Sequence, residues 1–417
     1  MKSLFRAIRY SSVGVFFAGI ISVLAGCTER EGVLGLLLLI LLQFCSGPVA
    51  EEGVPLGTIS DTPVSLDQFA ASIGFDPRII QVGSGVYAIF YLEGGTVDGK
   101  VTTVSIDAAG NVGAIIDTDT FDTSVIGITM APSVIQAAPG VYAVVYQDVA
   151  TTFLITLGID TAGNIGTIPI DTQTIDTNAG GSDTAIIQVG PGIFAIAYEG
   201  ADQDGFIDTY PIDGAGNIGA LVDSLEYDPA FGATPELIQV GPGMYAIAYA
   251  GAGFDGFVAT VDIDAVGIIG SVQDSLEYDP GFGARADVIQ VGPDVYAIAY
   301  NGSGNDGVLT TVRIDAAGNI GNAIIDTLIY DNIGTRPTIL PLSGGVYVIS
   351  YQSQTDVGVV FTVPISTAGI IGSIIDTLQF APTPIASLHM VRVGANTYAI
   401  VYQSNTGEGT IITIRID

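Results

Sequence analysis

The sequence predicts an all-β fold in which one four-stranded unit repeats around a closed ring, and three observations lead to that prediction. First, an aromatic-x-x-x-Tyr pattern recurs every 51 to 55 residues. Second, Gly- and Asp-rich turns divide each interval into four short apolar stretches, a length typical of strands. Third, the last copy ends after its third stretch, and a matching fourth stretch stands before the first copy. Seven copies of such a unit, of about 51 residues each, predict a seven-bladed β-propeller.

The aromatic pairs number the repeats, which we call repeats 1 to 7 in chain order. Each pair encloses small or β-branched residues, as at 245–249, and Gly-rich turns on both sides leave room for only a short strand. Because a residue present in every copy serves what all copies share, we expect these rings to pack between neighbouring blades. The pairs are Tyr87 and Tyr91, Tyr142 and Tyr146, Phe194 and Tyr198, Tyr245 and Tyr249, Tyr296 and Tyr300, Tyr347 and Tyr351, and Tyr398 and Tyr402.

Within a repeat, the turns define the four strands. In repeat 4, residues 236–240 form the first predicted strand, residues 245–249 the second and residues 257–263 the third. A turn of the type Asp-Ala-Ala-Gly-Asn then leads to the fourth strand, which in repeat 5 spans residues 324–330. Glycine accepts the left-handed φ that tight turns need, and Asp or Asn side chains bond the turn backbone. Each repeat is therefore predicted to be a meander of antiparallel strands.

The fourth strand carries an Asp-Thr or Asp-Ser pair in six repeats. On an outer strand, a charge discourages edge pairing and a hydroxyl can satisfy backbone groups. The missing seventh copy lies near the N-terminus, at residues 56–62, so we expect an N-terminal strand to complete the last blade and close the ring. The six aspartates are Asp117, Asp171, Asp223, Asp274, Asp326 and Asp376.

Residues 1–50 differ from the repeats and are predicted to be a hydrophobic leader or anchor helix, with the propeller spanning 51–417. Three basic residues precede an uncharged run at 10–27, which is the pattern of a secretory signal. The run ends in Leu24-Ala25-Gly26-Cys27, which resembles the lipobox of bacterial lipoproteins and implies lipidation at Cys27.

A second uncharged run at 32–50 is long enough to cross a bilayer. Three interpretations stay open: a lipoprotein, a tandem membrane anchor, and a long leader cleaved near Ala50. We predict an extracellular or cell-surface protein, attached to the membrane through its N-terminus where the leader is retained. A hairpin of two membrane spans is the exception, because it would leave the C-terminal domain inside the cell.

Composition excludes several classes of function. The chain has 11 Lys+Arg against 43 Asp+Glu, and its formal net charge of −32 repels nucleic acid. One histidine and two cysteines cannot build a multi-His or Cys-rich metal site or a disulfide scaffold. Because four basic residues but only two acids lie in the leader, residues 51–417 carry a net −34.

Positions that vary between repeats are the better candidates for function. The residues that open the first strand differ in every repeat, and we expect them to converge at the mouth of the central channel. Three arginines fall in equivalent loops, where they could grip a carboxylate. A Gln that recurs on the inner strand of repeats 1 to 5 gives way to Pro341 in repeat 6 and to Arg392 in repeat 7. Neutral drift would give the same variation. The candidate ligand-binding residues are Arg78, Glu236, Asp287, Arg285, Arg336, His389 and Arg392.

Calcium is the one candidate cofactor. The loops between the second and third strands place carboxylates on one face of the predicted ring, although Asp-Gly is also an ordinary hairpin signal. The Asp-Ala-Ala-Gly-Asn turns, such as 107–111, offer one carboxylate each, whereas a calcium loop needs several oxygen ligands, so we interpret them as hairpin turns. The candidate metal ligands are Asp98, Asp204, Asp255, Asp306, Asp356 and Glu408.

In general layout, residues 55–417 resemble the repeat-built propellers of secreted and surface-layer prokaryotic proteins. The resemblance implies a fold and a location and transfers no functional residue. The leading hypothesis is a non-catalytic surface or adhesion module that binds protein, glycan or cations through its loop face. One alternative is a hydrolase or lyase that uses Arg, Asp, Glu and His389 at the channel mouth. The other is a structural coat or filament subunit.

Overall fold

The computed structural model describes residues 55–94, 98–123, 132–148, 151–177 and 183–417. Their fold consists of antiparallel β-strands. These residues include no α-helix, and therefore no helix long and apolar enough to span a bilayer. Three single turns of 3-10 helix occur at Ala201–Gln203, Ala252–Phe254 and Ser303–Asn305. The predicted leader or anchor helix at 1–50, with its candidate lipidation site Cys27, lies outside the described residues.

Four sheets are four-stranded meanders in which consecutive strands pair. Together they carry repeats 2 to 5, and the strand positions predicted for repeat 4 agree with β13, β14 and β15. The strands are β5 Ser133–Ala138, β6 Val141–Asp148, β7 Thr151–Gly158, β8 Asp171–Asp176, β9 Ala185–Gly190, β10 Ile193–Glu199, β11 Gly205–Pro211, β12 Asp223–Asp228, β13 Ala233–Gly241, β14 Met244–Ala250, β15 Gly256–Ile263, β16 Ile269–Asp279, β17 Ala284–Gly292, β18 Val295–Asn301, β19 Gly307–Arg313 and β20 Asp326–Asp331.

The fifth sheet has ten strands and carries repeats 6, 7 and 1. Its spatial order is β21 to β26 followed by β1 to β4, so the first and the last of the described strands lie side by side in it. The strands are β1 Ser65–Gly83, β2 Val86–Glu93, β3 Asp98–Ile106, β4 Val112–Asp122, β21 Gly334–Pro341, β22 Val346–Ser353, β23 Val357–Pro364, β24 Asp376–Arg392, β25 Thr397–Ser404 and β26 Glu408–Arg415.

The prediction of seven separate four-stranded blades is therefore wrong: the described strands of this all-β propeller form five sheets. The reason lies in two long strands. The first half of β1 pairs with β26 and the second half with β2, and β24 is shared in the same way between β23 and β25. Where other repeats have a loop between the fourth strand and the next first strand, β1 and β24 run on without interruption.

The chain ends pair later in the sequence than predicted. Residues 56–62 form no strand, and their pairing with the last strand is limited to an isolated bridge between Ile59 and Ile416. The strand that lies beside β26 is the first half of β1, with Ser65 opposite Thr413. The N-terminal strand therefore does lie against the C-terminal strand, but Ser65 takes the place that an aspartate holds in the other repeats.

The aromatic pairs pack between successive repeats, as expected. Tyr296 of repeat 5 lies in one buried cluster with Met244 and Ala246 of repeat 4. In six repeats, the hydroxyl of the first tyrosine also donates to a backbone carbonyl of the repeat before it, as from Tyr296 to Val240 at 3.3 Å. Phe194 holds this position in repeat 3 and has no hydroxyl to donate.

The aspartates of the fourth strand have a role beyond protecting an edge. Each accepts a hydrogen bond from a backbone N–H of the following repeat, at 2.8–2.9 Å, and Ser65 does so at 3.4 Å. We call these seven bonds the latch, since they join every repeat to the next in an unbroken cycle. The pairs are Ile165 to Asp117, Ile218 to Asp171, Ile269 to Asp223, Ile320 to Asp274, Ile371 to Asp326, Ile59 to Asp376 and Val112 to Ser65.

Candidate functional site

A cavity of about 340 Å³ lies where the first strands of all seven repeats converge. Each repeat contributes residues from the start of that strand, so the cavity lies on the axis of the ring, at the mouth of its channel. The contributing segments are 76–80, 132–134, 183–186, 234–236, 285–287, 336–338 and 387–389.

An unusual backbone conformation shapes this mouth. Five non-glycine residues at equivalent positions have a left-handed φ of 37° to 55°, and the strand register slips beside them. Such conformations are costly outside glycine and cluster at functional sites. These residues, with Asp183, form what we call the rim layer, and the residues two positions later form the inner layer. The five are Asp76, Thr234, Arg285, Arg336 and Ser387.

Two ion pairs hold the long side chains of the rim layer. Arg336 bonds Asp76 at 2.7 Å and so reaches across repeat 7, where the rim residue is the short Ser387. Arg285 bonds Asp183 at 3.1 Å across repeat 4, where the rim residue is Thr234. Both arginines therefore form ion pairs with aspartates of other repeats, and these pairs hold their side chains along the rim.

The inner layer contains two half-buried carboxyl groups, Glu236 and Asp287. Burial raises the pKa of Glu236, and the nearby Asp287 carboxylate raises it further, while Arg78 opposes the shift. Burial also raises the pKa of Asp287, against the Ile339 N–H that donates to its Oδ2 at 2.8 Å. The positive charge of Arg78 therefore faces two carboxyl groups, and at least one of the two keeps its proton at a pH above its ordinary pKa.

His389 is the histidine of the inner layer. Burial, together with a smaller effect of the Arg78 charge, lowers its pKa to about 3. Its Nδ1 accepts a hydrogen bond from the Ile79 N–H at 3.4 Å. The ring is therefore neutral at physiological pH, and its Nε2–H is the group left to donate.

Arg78 differs from the two rim arginines. Within the described residues, its guanidinium forms no hydrogen bond and no salt bridge, although it acts electrostatically on Glu236, Asp287 and His389. Its five N–H donors are thus available to a molecule in the cavity.

Six of the seven candidate ligand-binding residues line this one cavity: Arg78, Glu236, Asp287, Arg285, Arg336 and His389. Arg392 does not line it. Three residues beyond His389 along an extended strand, it lies about 10 Å further from the mouth. There its side chain bonds the carbonyls of Gly394, Leu342 and Ala395 and lies over the Tyr398 ring.

The candidate metal ligands stay apart. Asp98, Asp204, Asp255, Asp306, Asp356 and Glu408 lie in or beside six different loops, at the start of the third strands. Glu408 accepts hydrogen bonds from the Ser404 and Thr406 hydroxyls, and Asp356 accepts one from Gln352. Among the described residues, no group of three His, Cys, Asp or Glu side chains is placed to hold a metal ion.

The interpretation of the Asp-Ala-Ala-Gly-Asn segments as hairpin turns is confirmed. In the turn at 107–111, Asp107 accepts hydrogen bonds from the N–H groups of Ala109 and Asn111 and from the Asn111 side chain. These bonds lower the pKa of Asp107, and the same set recurs at Asp160, Asp213 and Asp315. The four carboxylates therefore accept hydrogen bonds within their own turns.

The rim partners Asp76 and Asp183 and the hydroxyl residues Thr234 and Ser387 were missed by the sequence reasoning. One signal existed: an X-Pro step occurs at the rim position of repeats 1, 2, 4 and 6, and the residue before proline is restricted in its backbone. That signal marks an unusual backbone but does not reveal which side chains meet across the ring.

Comparisons with known proteins show the fold and no family. No family model and no curated protein matches the chain. Similar solved structures include the WD40 domain of Toxoplasma gondii coronin, with 12% identity, 87% of this chain and 89% of that chain covered, and a TM-score of 0.55.

Two further structures are similar at a TM-score of 0.52. BBS1N in complex with ARL6DN has 10% identity and covers 87% of this chain and 98% of its own. A putative 6-phosphogluconolactonase from Bacteroides fragilis has 13% identity and covers 82% and 96%. At these identities the likeness establishes a repeat-built β-propeller and nothing about activity.

Proposed function

We propose that this propeller is a non-catalytic binding module that holds a neutral carbohydrate in the cavity at its channel mouth. The observation that carries the proposal is the Arg78 guanidinium, which has no partner among the described residues and shares a cavity with the carboxyl groups of Glu236 and Asp287.

The donor and acceptor pattern supports a sugar. A sugar hydroxyl both donates and accepts, so neighbouring hydroxyls suit a site that offers guanidinium donors beside carboxyl acceptors. A carboxylate offers about four lone-pair positions, more than the backbone N–H groups next to Glu236 and Asp287 occupy. The volume of about 340 Å³ falls at the small end of ligand pockets, which suits one sugar unit.

Charge argues for a neutral ligand. The net −34 of residues 51–417 repels anions approaching from solvent. At the mouth, Asp183 and Asp76 balance the charges of Arg285 and Arg336, and Arg78 faces Glu236 and Asp287, so the mouth has little net charge with which to attract an ion. A ligand without net charge fits both observations.

Isothermal titration with glucose, galactose, mannose and xylose, and with their short linear oligomers, tests the proposal. We expect at least one series to bind and Arg78→Gln or Glu236→Gln to weaken it at least tenfold, since each removes a central polar contact. Arg313→Gln and Glu226→Gln are matched controls, because both residues are exposed and lie outside the cavity. No binding by any series, or equal binding by the cavity variants and controls, contradicts the proposal.

Hydrolysis is the second candidate, and the raised pKa of Glu236 favours it. A carboxyl that keeps its proton near neutral pH can serve as a general acid. One similar structure is named as a putative 6-phosphogluconolactonase. Incubation with gluconolactone and with the bound oligosaccharide separates the candidates: acid or reducing-end release that Glu236→Gln abolishes supports catalysis, and intact ligand supports binding alone.

We further propose that the module is displayed outside the cell and that residues 1–50 attach it to the membrane. The basic start, the two uncharged runs and the Leu-Ala-Gly-Cys sequence support this location. Its loop face is also a candidate surface for a partner protein, as one similar propeller was solved in complex with ARL6DN. Fractionation of a Cys27→Ser variant tests the lipid anchor: unchanged membrane retention contradicts it.

A further inference from the structure

Three phenylalanine rings form a short row in the loops of repeats 3 to 5. Phe254 lies between the other two: its ring centroid is 4.9 Å from that of Phe231, edge-on, and 5.6 Å from that of Phe282, nearly parallel. Phe231 and Phe282 are half-buried, whereas Phe254 is 47% exposed. The row thus presents one ring to solvent.

The backbone at Phe254 is unfavourable for a bulky side chain. Its φ is +67°, in the left-handed region that suits glycine and tolerates Asn and Asp. The equivalent residues, two positions before the loop glycine, share this conformation and are small or polar. They are Gln203, Asn305, Asp356 and Gly407, with φ of 72°, 69°, 57° and 98°. Packing in the loop therefore does not require an aromatic ring at this position.

The row stands beside the candidate site. Phe231 and Phe282 pack on a small cluster that includes Ala233 and Ala284. Ala233 directly precedes the rim residue Thr234, and Ala284 directly precedes Arg285. Phe231 and Phe282 thus pack on the side of the mouth where the inner layer carries Glu236 and Asp287, because Ala233 and Ala284 lie three residues, about 10 Å of strand, before them.

We infer that Phe254 is a second carbohydrate subsite: the cavity takes the terminal sugar, and the Phe254 ring packs against the apolar C–H face of a following unit. The inference rests on the proposed function and adds that the ligand is a chain of at least two sugars.

Size and charge select this occupant over a protein. A stable protein interface buries about 800 Å² on each partner, whereas the exposed part of a single ring matches one sugar. The neighbouring Asp255 and the strongly negative propeller do not oppose a neutral chain.

Titration of monosaccharides against linear oligomers of two to four units, with Phe254→Asn, tests the inference. We expect oligomers to bind tighter than the monosaccharide and the substitution to remove roughly 3- to 10-fold of that gain. It should leave monosaccharide binding unchanged and the melting temperature equal or higher, since Asn suits the backbone better.

Two further variants sharpen the experiment. Gln203→Asn changes the equivalent loop of repeat 3 and should have no effect, whereas Phe254→Tyr retains the ring and should retain the gain. The inference is overturned if oligomers bind no tighter than monosaccharide, if Phe254→Asn keeps the gain, or if Phe254→Asn lowers the melting temperature markedly. If no sugar binds at all, the proposed function itself fails and the inference fails with it.

Discussion

The latch and the cavity use the same seven-fold repetition in opposite ways. The latch places an acceptor side chain at the same position of every repeat, and each accepts the same bond from the next repeat. The inner layer of the cavity, together with Ser133 at the equivalent position of repeat 2, places a different residue in each repeat: Arg78, Ser133, Ala185, Glu236, Asp287, Thr338 and His389.

The difference teaches how to separate stability from function in a repeat protein. A contact that stabilises the ring must recur at every interface between two repeats. A ligand on the axis contacts all repeats at once, so each repeat can contribute a different residue to its site. Variants of the repeated contacts should therefore change the free energy of unfolding, and variants of the cavity should change ligand binding.

The largest effect on stability is expected from the aromatic packing between repeats. Tyr296→Ala removes a fully buried ring and should cost about 3–5 kcal/mol in urea unfolding. Tyr296→Phe loses only the bond to the Val240 carbonyl, about 0.5–1.5 kcal/mol, and matches the natural Phe194 of repeat 3. Equal costs for the two variants would contradict the assignment of stability to ring packing.

The latch itself should come next. Asp274→Ala leaves the Ile320 N–H without its acceptor, which should cost about 1–3 kcal/mol by thermal or urea unfolding. Glu277→Ala on the same strand is the control; Glu277 is exposed, and its loss should stay within about 0.5 kcal/mol. Sugar binding should be the same in both variants. If Asp274→Ala is as stable as Glu277→Ala, the latch does not stabilise the ring, and the contrast between latch and cavity fails.

The pH dependence of stability probes the cavity. The unfolded chain protonates His389 below its ordinary pKa of 6.5, whereas the folded chain holds that pKa at about 3, so the contribution of His389 to stability should fall as pH drops below 6.5. The raised pKa values of Glu236 and Asp287 act in the opposite direction in this range, so the comparison with His389→Gln isolates the histidine. As the pH falls from 6.5 to 5, the unmodified protein should lose melting temperature relative to His389→Gln, and parallel curves for the two proteins contradict the assignment.

Glu236 should act at the opposite end. Because its folded pKa is raised above the ordinary 4.5, the folded chain keeps a proton that the unfolded chain releases, so stability should fall as pH rises through the folded pKa. Glu236→Gln should reduce that alkaline loss in melts from pH 5 to 9. Parallel curves for the variant and the unmodified protein would show that the carboxyl stays solvated.

The smallest effect is expected in the exposed turns. Asn217→Ile removes the side-chain bond to Asp213 and reproduces the residues found at 268 and 370. We expect an unchanged melting temperature, since Asp213 keeps its bonds to the Ala215 and Asn217 N–H groups. A clear drop would mean that the turns share in the stability of the ring.

The repeated features could be predicted from the sequence because a local pattern fixes them. Aromatic spacing, turn residues and four strands per repeat each depend on residues close in the chain. The count of sheets could not be predicted, because it depends on whether a fourth strand passes into the next first strand with or without a loop, as in β1 and β24.

The convergence of the candidate residues was predictable in part. Equivalent positions in a ring converge on its axis, and the structure brings Arg78, Glu236, Asp287 and His389 to one cavity. The ion pairs between Arg336 and Asp76 and between Arg285 and Asp183 join residues 260 and 102 positions apart. No local pattern indicates which repeat a long side chain reaches, so these pairs required the structure.

The meeting of the chain ends sets the order in which the protein can be made. The latch bond from Ile59 to Asp376 and the pairing of Ser65 with Thr413 join the first residues of the ring to nearly the last. While a ribosome is still adding β26, the first half of β1 has no strand to pair with and presents an open edge to other nascent chains. Completion of the fold therefore waits for β26 to emerge, and deletion of residues 408–417 should leave a chain that aggregates instead of a ring with a small defect.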